Sequence, residues 1–227
     1  MTKEYPNLTV DAVVFSYIDE KLQVLLIKRN FDPFKDKYAL PGAFIKDNES
    51  AENAAFRMLE EETGLKINYI EQLRTYSEPY RDPRQRIVSI AYFALINSKE
   101  QKLKTTKHAT EVEWVEIKDA YLRHLAFDHK NILKDAHDRL RTKLRWMPIG
   151  FDLLPKYFTM GELYDLYCEI LDEGLDRRNF NKKILKYELL KETPFKTTGH
   201  VGRQAKMYEF DEATYRRLEK QGFYFEL

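Results

Sequence analysis

The sequence predicts a mixed α/β domain followed by a smaller domain of two helices and a short two-stranded hairpin. Three observations lead to this reading. In the first half, β-branched and aromatic runs surround one strongly amphipathic helix. An apolar stretch carrying two prolines and a glycine, "WMPIGFDLLPKYF", then interrupts the pattern at residues 146–158. Beyond it the apolar spacing becomes i, i+3, i+4, i+7 before ending in two short strand-like runs. These features divide the chain into units 1–147 and 148–227, joined by an ordered linker.

The elements follow in order. "TVDAVVFSYI" and "LQVLLIKR" read as strands of a hairpin joined by the polar turn "DEK", and "YALPGAFI" is broken by Pro41-Gly42 into a turn. Residues 49–63 have the layout of a helix: Glu49 and Glu52 at the start, Ala54, Ala55, Met58 and Leu59 as an apolar stripe, and Gly64 as the stop. "NYIEQLRTYS", "RIVSIAYFALI" and "EVEWVEI" are further strands, and residues 128–145 return to helix with Ile132, Leu133, Ala136, Leu140 and Leu144 on one side. In the second unit, Leu163, Leu166, Tyr167 and Ile170 mark one helix, and "LDRRNFNKKILKYELL" another with Asp176 as its N-cap. "LKETPFK" and "AKMYEF" are the closing strand-like runs, around the glycine-bearing "TTGHVGRQ".

Composition narrows the function classes. Of 227 residues 43% are apolar and 14% aromatic, enough for real cores. With 38 basic and 37 acidic side chains the average charge points to neither nucleic acid nor membrane, although an average can hide a patch. A single cysteine, Cys168, leaves no internal disulfide framework and suits a reducing compartment. "MTKEYPN" is polar, without the apolar core of a signal peptide, and no apolar run approaches the ~18 residues of a membrane span. A cytoplasmic location is expected.

The stretch "GAFIKDNESAENAAFRMLEEETGL" carries the chemistry. It resembles the Nudix signature, G-x5-E-x7-R-E-U-x-E-E-x-G-U with U apolar. The chain matches at Glu49, Arg57, Leu59, Glu61, Glu62, Gly64 and Leu65, and departs at Ala43 (for glycine) and at Met58 (for the first glutamate). The resemblance covers residues of about 8–145 and implies a Nudix sandwich, a mixed sheet with helices. Residues four apart share a helix face, so positions 58 and 62 are expected to form one wall flanked by 61. Pyrophosphate hydrolysis needs hard cations, and Mg²⁺ takes oxygen ligands that a thioether cannot supply. Glu49, Arg57, Glu61 and Glu62 thus read as a vestigial catalytic box. Glu61 and Glu62 could hold one metal ion weakly, or stand as solvated helix acids. No cofactor is required, with Mg²⁺ implied only if hydrolysis survives. The resemblance makes Arg57 an organiser of the box carboxylates.

"RDPRQR" concentrates Arg81, Arg84 and Arg86 ahead of a strand, where a loop can meet an anion. The bland alternative is an exposed turn. These arginines, with Phe44, are the candidate effector contacts. His129 in "FDHKNI" reads either as a ligand or, more commonly for a histidine at a helix start, as a surface residue.

Residues 177–206 hold nine Lys and Arg against only Glu188 and Glu192. Phe180, Ile184 and Tyr187 fall on one side of the predicted helix and Arg178, Asn179, Lys182 and Lys186 on the other, as a helix-turn-helix reader requires. The strand-like runs after it fit a wing. Arg178, Asn179, Lys182, Lys183, Lys186, Arg203 and Lys206 are the candidate DNA contacts. A charge run alone is usually a solvated face; the helix pair, basic helix and hairpin in succession favour DNA.

Taken whole, the chain resembles the Nudix-related transcription regulators, an altered Nudix domain joined to a C-terminal winged helix. "IGFDLLPKYFT", "DRRNFNKK" and "RDPR…VSIAY" carry the resemblance. It implies a homodimer, a repressor on palindromic double-stranded operator DNA, released by a small effector: ADP-ribose in the NrtR branch, L-arabinose in the AraR branch. The alternative is an active Mg²⁺-dependent hydrolase of ADP-ribose or a related nucleoside diphosphate, and a protein with both activities is a third reading.

Overall fold

The computed structural model describes residues 5–67, 70–98, 101–106, 109–197, 204–223 and 225–226. The chain divides into two compact units (the turn residues 19–21 apart), and the division falls between Arg139 and Leu140.

The first unit is built on β1 (Asn7–Ile18) and β2 (Lys21–Arg29), a hairpin whose two turn residues, Asp19 and Glu20, are both left-handed, with φ of 50° and 62°. That conformation matches the twist of paired strands. Further strands are β3 (Tyr38–Ala39), β4 (Gly42–Phe44), β5 (Glu71–Tyr76), β6 (Ile87–Leu95) and β7 (Ala109–Glu116). They form one mixed sheet of order β3-β2-β1-β6-β5, with β4 pairing β1 and β7 pairing β2. Among the described strands β1 and β6 run parallel, in register Val10 with Ile90 and Ala12 with Tyr92.

Strand β1 is buried along most of its length because both faces are covered, hence its nearly continuous apolar run. Val10, Ala12 and Val14 pack with Ala54, Ala55, Met58 and Leu59 of helix α1 (Ala51–Thr63). The ring of Phe15 lies 6.3 Å from that of His137 on helix α3 (His129–Trp146). Helix α1 begins two residues later than its pattern predicts. Ser50 caps it by accepting from the Asn53 backbone N–H, a contact worth roughly 1 kcal/mol, while Gly64 ends it at φ 77°. A six-residue helix α2 (Ile117–Leu122) was not expected; it is too short to show a helical period.

In the second unit a 3-10 helix over Ile149–Leu153 buries Gly150, Phe151 and Leu153. Strand β8 (Phe158–Thr159) leads into helix α4 (Met160–Leu171), which opens on a capping box between Thr159 and Glu162. Leu163, Leu166, Tyr167 and Ile170 are fully buried, the stripe the spacing predicts. Helix α5 (Arg177–Lys186) starts from Asp176, which accepts from the Asn179 N–H at 2.6 Å. Strands β9 (Leu190–Lys196) and β10 (Lys206–Phe210) form an antiparallel hairpin, and β8 pairs β10 on its other side. Phe151 stacks on Phe210 at 4.2 Å. A final helix α6 (Glu212–Lys220), capped by Asp211, was not anticipated: it buries no residue, so it leaves no core stripe in the sequence.

Candidate effector cavity and nucleic-acid interface

The first unit holds a cavity of about 880 Å³ lined from β1, β2, β4, α1, the 81–84 loop and the start of α3. Its α1 wall is clasped by one arginine. Arg57 donates through Nε and Nη2 to both oxygens of Glu49, at 2.8 and 2.6 Å, through Nη1 to Glu61 at 2.9 Å, and to the Phe44 carbonyl at 3.2 Å. The Arg57 hydrogen bonds, aided by the Lys46 backbone N–H, hold the Glu49 carboxyl down to about 2. Arg57 is therefore the organiser that the box predicts.

Met58 does not share the wall with Glu62. Its side chain is fully buried among Val10, Ala12, Val14 and Leu25, while Arg57, Glu61 and Glu62 line the cavity. The correction has a simple cause: an apolar thioether is stabilised in the core beneath the helix. Glu61 and Glu62 differ in kind. Glu61 is exposed and held by Arg57, whereas burial, then the Glu61 charge, pushes Glu62 up to about 7.

The candidate effector arginines separate into three environments. Arg81, taken from the sequence as a ligand contact, is 4% exposed and forms a two-pronged pair with Asp128: Nε to Oδ2 at 2.9 Å and Nη2 to Oδ1 at 2.6 Å. Its Nη2 also reaches Asp11 Oδ2 at 3.3 Å, where Ser89 donates at 2.5 Å. Desolvation pulls the guanidinium pKa down, but the carboxylates outweigh it and raise it. Arg81 is thus a buried hub at the cavity floor, because only its two carboxylates make burial of that charge tolerable. Arg84 lines the cavity with 41% of its side chain exposed, held by Asp82 through Nε at 3.0 Å and Nη2 at 2.6 Å. Arg86 is not among the lining residues; its Nη1 donates to the Ser77 carbonyl, closing the loop's own turn. Phe44 does line the cavity, with its ring exposed.

Other residues at the cavity were misplaced by the sequence reading or not singled out by it. His129 is not on the surface: it is 4% exposed, and its Nδ1 accepts from the Leu40 N–H at 2.9 Å. Burial lowers its pKa against the pull of Asp11 and Asp128, so the ring is neutral, with its proton on Nε2, 3.6 Å from Asp11 Oδ1. Asp11 itself was signalled by a lone carboxylate inside "TVDAVVF", which a doubly covered strand must pair. Gly42 makes room for it, since a Cβ there would lie 2.2 Å from Asp11 Oδ1. Phe127, left-handed at φ 54°, turns its ring under two guanidinium groups, Arg29 at 4.8 Å and Arg84 at 5.6 Å. Strain of this kind gathers at functional sites. Burial, then Arg84, lowers the Arg29 pKa.

In the second unit, α5 buries Phe180 and Ile184 and leaves Arg178, Asn179, Lys182 and Lys186 exposed, the two-sided helix its sequence predicts. Lys183 is half-buried, and Tyr187 is the C-cap. Lys206 is exposed on β10 but paired with Glu192 of β9 at 2.9 Å, a surface pair weak enough to yield to a phosphate. Arg203 lies outside the described residues.

A Nudix-type sheet-and-helix domain with an anion-suited cavity, followed by a winged helix with a basic exposed helix, defines a ligand-sensing DNA-binding regulator as the class of protein. Residues 7–136 match the NUDIX domain and residues 150–210 the NrtR DNA-binding winged helix domain. The chain is 37% identical to the ADPR responsive transcriptional repressor NtrR of Acinetobacter baylyi over 215 residues, covering 91% of this chain and 84% of that protein. The crystal structure of Shewanella oneidensis NrtR complexed with a 27mer DNA superposes with a TM-score of 0.82 at 32% identity, over 96% of this chain and 97% of that one. The NUDIX domain of the same NrtR, complexed with ADP ribose, matches at 38% identity and a TM-score of 0.58 over 61% of this chain and 90% of that one. The chain belongs to the NrtR family of Nudix-related transcriptional repressors. No described helix is long and apolar enough to cross a membrane.

The Nudix fold brings a divalent cation to mind, and the side chains here do not fit one. Among the described residues no three His, Cys, Asp or Glu side chains are placed to hold a metal. Glu61 is engaged by Arg57, and Glu62 is desolvated.

Proposed function

We propose that this chain is a repressor that holds operator DNA through α5 and its wing and lets go when ADP-ribose fills the cavity of its Nudix domain. The carrying observation is the pair Arg29 and Arg84 over the Phe127 ring in a cavity that Lys46 and Arg57 also line. Guanidinium groups suit a diphosphate, and exposed rings such as Phe31 and Phe44 suit an adenine face. At about 880 Å³ the cavity sits near the top of the ordinary range for ligand pockets, roughly 300–1,000 Å³. A neutral pentose such as L-arabinose would bring no anion of its own to these guanidinium groups, of which Arg84 is already paired with Asp82. The relatives support the same ligand, one being named as ADPR responsive and another crystallised with ADP ribose.

Hydrolysis is impaired in this reading. Met58 supplies no oxygen and is turned into the core, and Glu61 is tied to Arg57. The working unit is a homodimer on a palindromic operator, whose half-sites are spaced by whole turns of about 10 base pairs.

The test is a titration of the full-length protein with ADP-ribose and with L-arabinose, each with and without DNA from upstream of its own gene. ADP-ribose should bind, and operator DNA should weaken it by about 5–150-fold, the usual range of allosteric coupling. Selective binding of arabinose would reassign the effector. Mg²⁺-dependent turnover of ADP-ribose near ~10 per second would make the protein an ordinary hydrolase instead.

A further inference from the structure

We propose that Arg81 and Asp128, through the α3 helix that they fasten, carry the effector signal from the cavity to the DNA-binding unit. The inference rests on the effector reading above and concerns how binding is transmitted, a role for which neither residue need contact DNA.

The first turn of α3 is fixed by the residues of the cavity floor. Asp128, immediately before the helix, is held by both Nε and Nη2 of Arg81. His129, its first residue, accepts from the Leu40 N–H and faces Asp11. Arg81, Asp11, Leu40 and His129 all line the cavity, whereas Asp128 does not. Further along, Asp135 accepts from the Tyr76 hydroxyl of β5 at 2.8 Å. An anion reaching the floor competes for the guanidinium that positions Asp128, so filling the cavity alters how the start of α3 is held.

The other half of the same helix is fastened within the second unit. Arg141 donates to the Leu171 carbonyl at the end of α4, and Arg145 Nη2 meets both oxygens of Glu173 at 3.0 Å. Leu144 stands 3.1 Å from where a Cβ on Gly150 would be. Of the residues held, Leu171 ends α4 and Glu173 lies in the turn that follows it, ahead of the basic helix α5. Helix α3 thus has its start held by residues of the cavity floor, and its last turns held by Leu171 and Glu173. Rigid elements with two arrangements are what coupling requires.

The experiment measures the ratio of ADP-ribose dissociation constants with and without operator DNA, on the full-length protein. In Asp128→Asn, which removes the competitor for Arg81, ADP-ribose affinity for the free protein should not fall and operator affinity without ligand should stay within about threefold of the parent, while the ratio falls by at least about fivefold, towards one. A residue that served only stability would change the melting temperature and leave the ratio intact. An unchanged ratio in a variant that melts cooperatively overturns the proposal. Should Asp128→Asn fail to fold, the double change Arg141→Met with Arg145→Ala, at the far end of α3, decides alone: the same fall supports the proposal and an unchanged ratio sinks it. A parent protein that binds ADP-ribose equally well on and off DNA overturns the effector reading itself, a failure distinct from this one.

Discussion

Replacing Met58 by the glutamate of the Nudix signature should damage this protein before it restores any chemistry. Met58 is fully buried against Val10, Ala12 and Val14, so Met58→Glu first forfeits a buried apolar side chain, worth about 1.5–3 kcal/mol. The carboxyl that replaces it must stay protonated in that setting, as buried glutamates with pKa values of about 8–9 do. Against an unfolded value of about 4.3, keeping it neutral at pH 7 costs about 3–4 kcal/mol, and at pH 5 only about 1 kcal/mol. The sign follows from proton counting: between these pKa values the folded chain holds a proton that the unfolded chain has released, so stability falls as pH rises. Urea unfolding followed by circular dichroism should therefore show a loss of roughly 4.5–7 kcal/mol at pH 7 that shrinks by about 2–3 kcal/mol at pH 5. A variant as stable as the parent at pH 7, and newly able to turn over ADP-ribose with Mg²⁺, would mean that position 58 opens to the cavity, refuting its assignment to the core.

Glu62, raised to about 7 by burial and then by Glu61, likewise keeps a proton in the folded chain that the unfolded chain releases above its ordinary 4.5, so it costs stability as pH rises from 4.5 to 7. Glu62→Gln should flatten that slope in denaturant melts between about pH 4.5 and 7, and an unaltered slope would contradict the desolvated placement. Arg81→Ala should cost about 3–5 kcal/mol by stranding the buried carboxylate of Asp11 and the partly buried one of Asp128, whereas Arg84→Ala should cost less than about 1 kcal/mol and weaken ADP-ribose instead. Calorimetry and thermal melts on both variants would separate the two roles; equal stability losses would not fit. Lys186→Ala should lower the salt slope of log affinity for DNA by about 1 on every sequence. Asn179→Ala should cost about 1–3 kcal/mol on the true operator alone. Footprints that are equal on random DNA would make the winged helix a protein-binding module.

The parts of the fold legible in the sequence are those fixed by neighbours along the chain. Gly64 ends α1, Asp176 opens α5, and the stripe from Leu163 to Ile170 gives α4 its buried face, all through contacts only a few residues apart. The strands β9 and β10 and the exposed basic side of α5 were readable for the same reason, since strand and helix periods are local properties. The Arg57 clasp was readable because a fixed spacing within one helix and its approach carries it. Helix α6 was missed because, without a buried face, it writes no apolar period.

The floor of the cavity was decided by tertiary structure alone. Arg81 and Asp11 stand 70 positions apart, Arg81 and Asp128 47, and Leu40 and His129 89. "RDPRQR" looks like one cluster of three equivalent cations, yet folding buries Arg81 between carboxylates, leaves Arg84 in the cavity wall and turns Arg86 back on its own loop. Met58 and His129 exchanged their expected surroundings in the same way, one into the core and the other onto a buried ligand-facing floor. What a side chain can bind is written in its residue type. Whether it meets ligand, core or counter-charge depends on partners brought from distant strands, and the cost of desolvating a charge makes that pairing decisive.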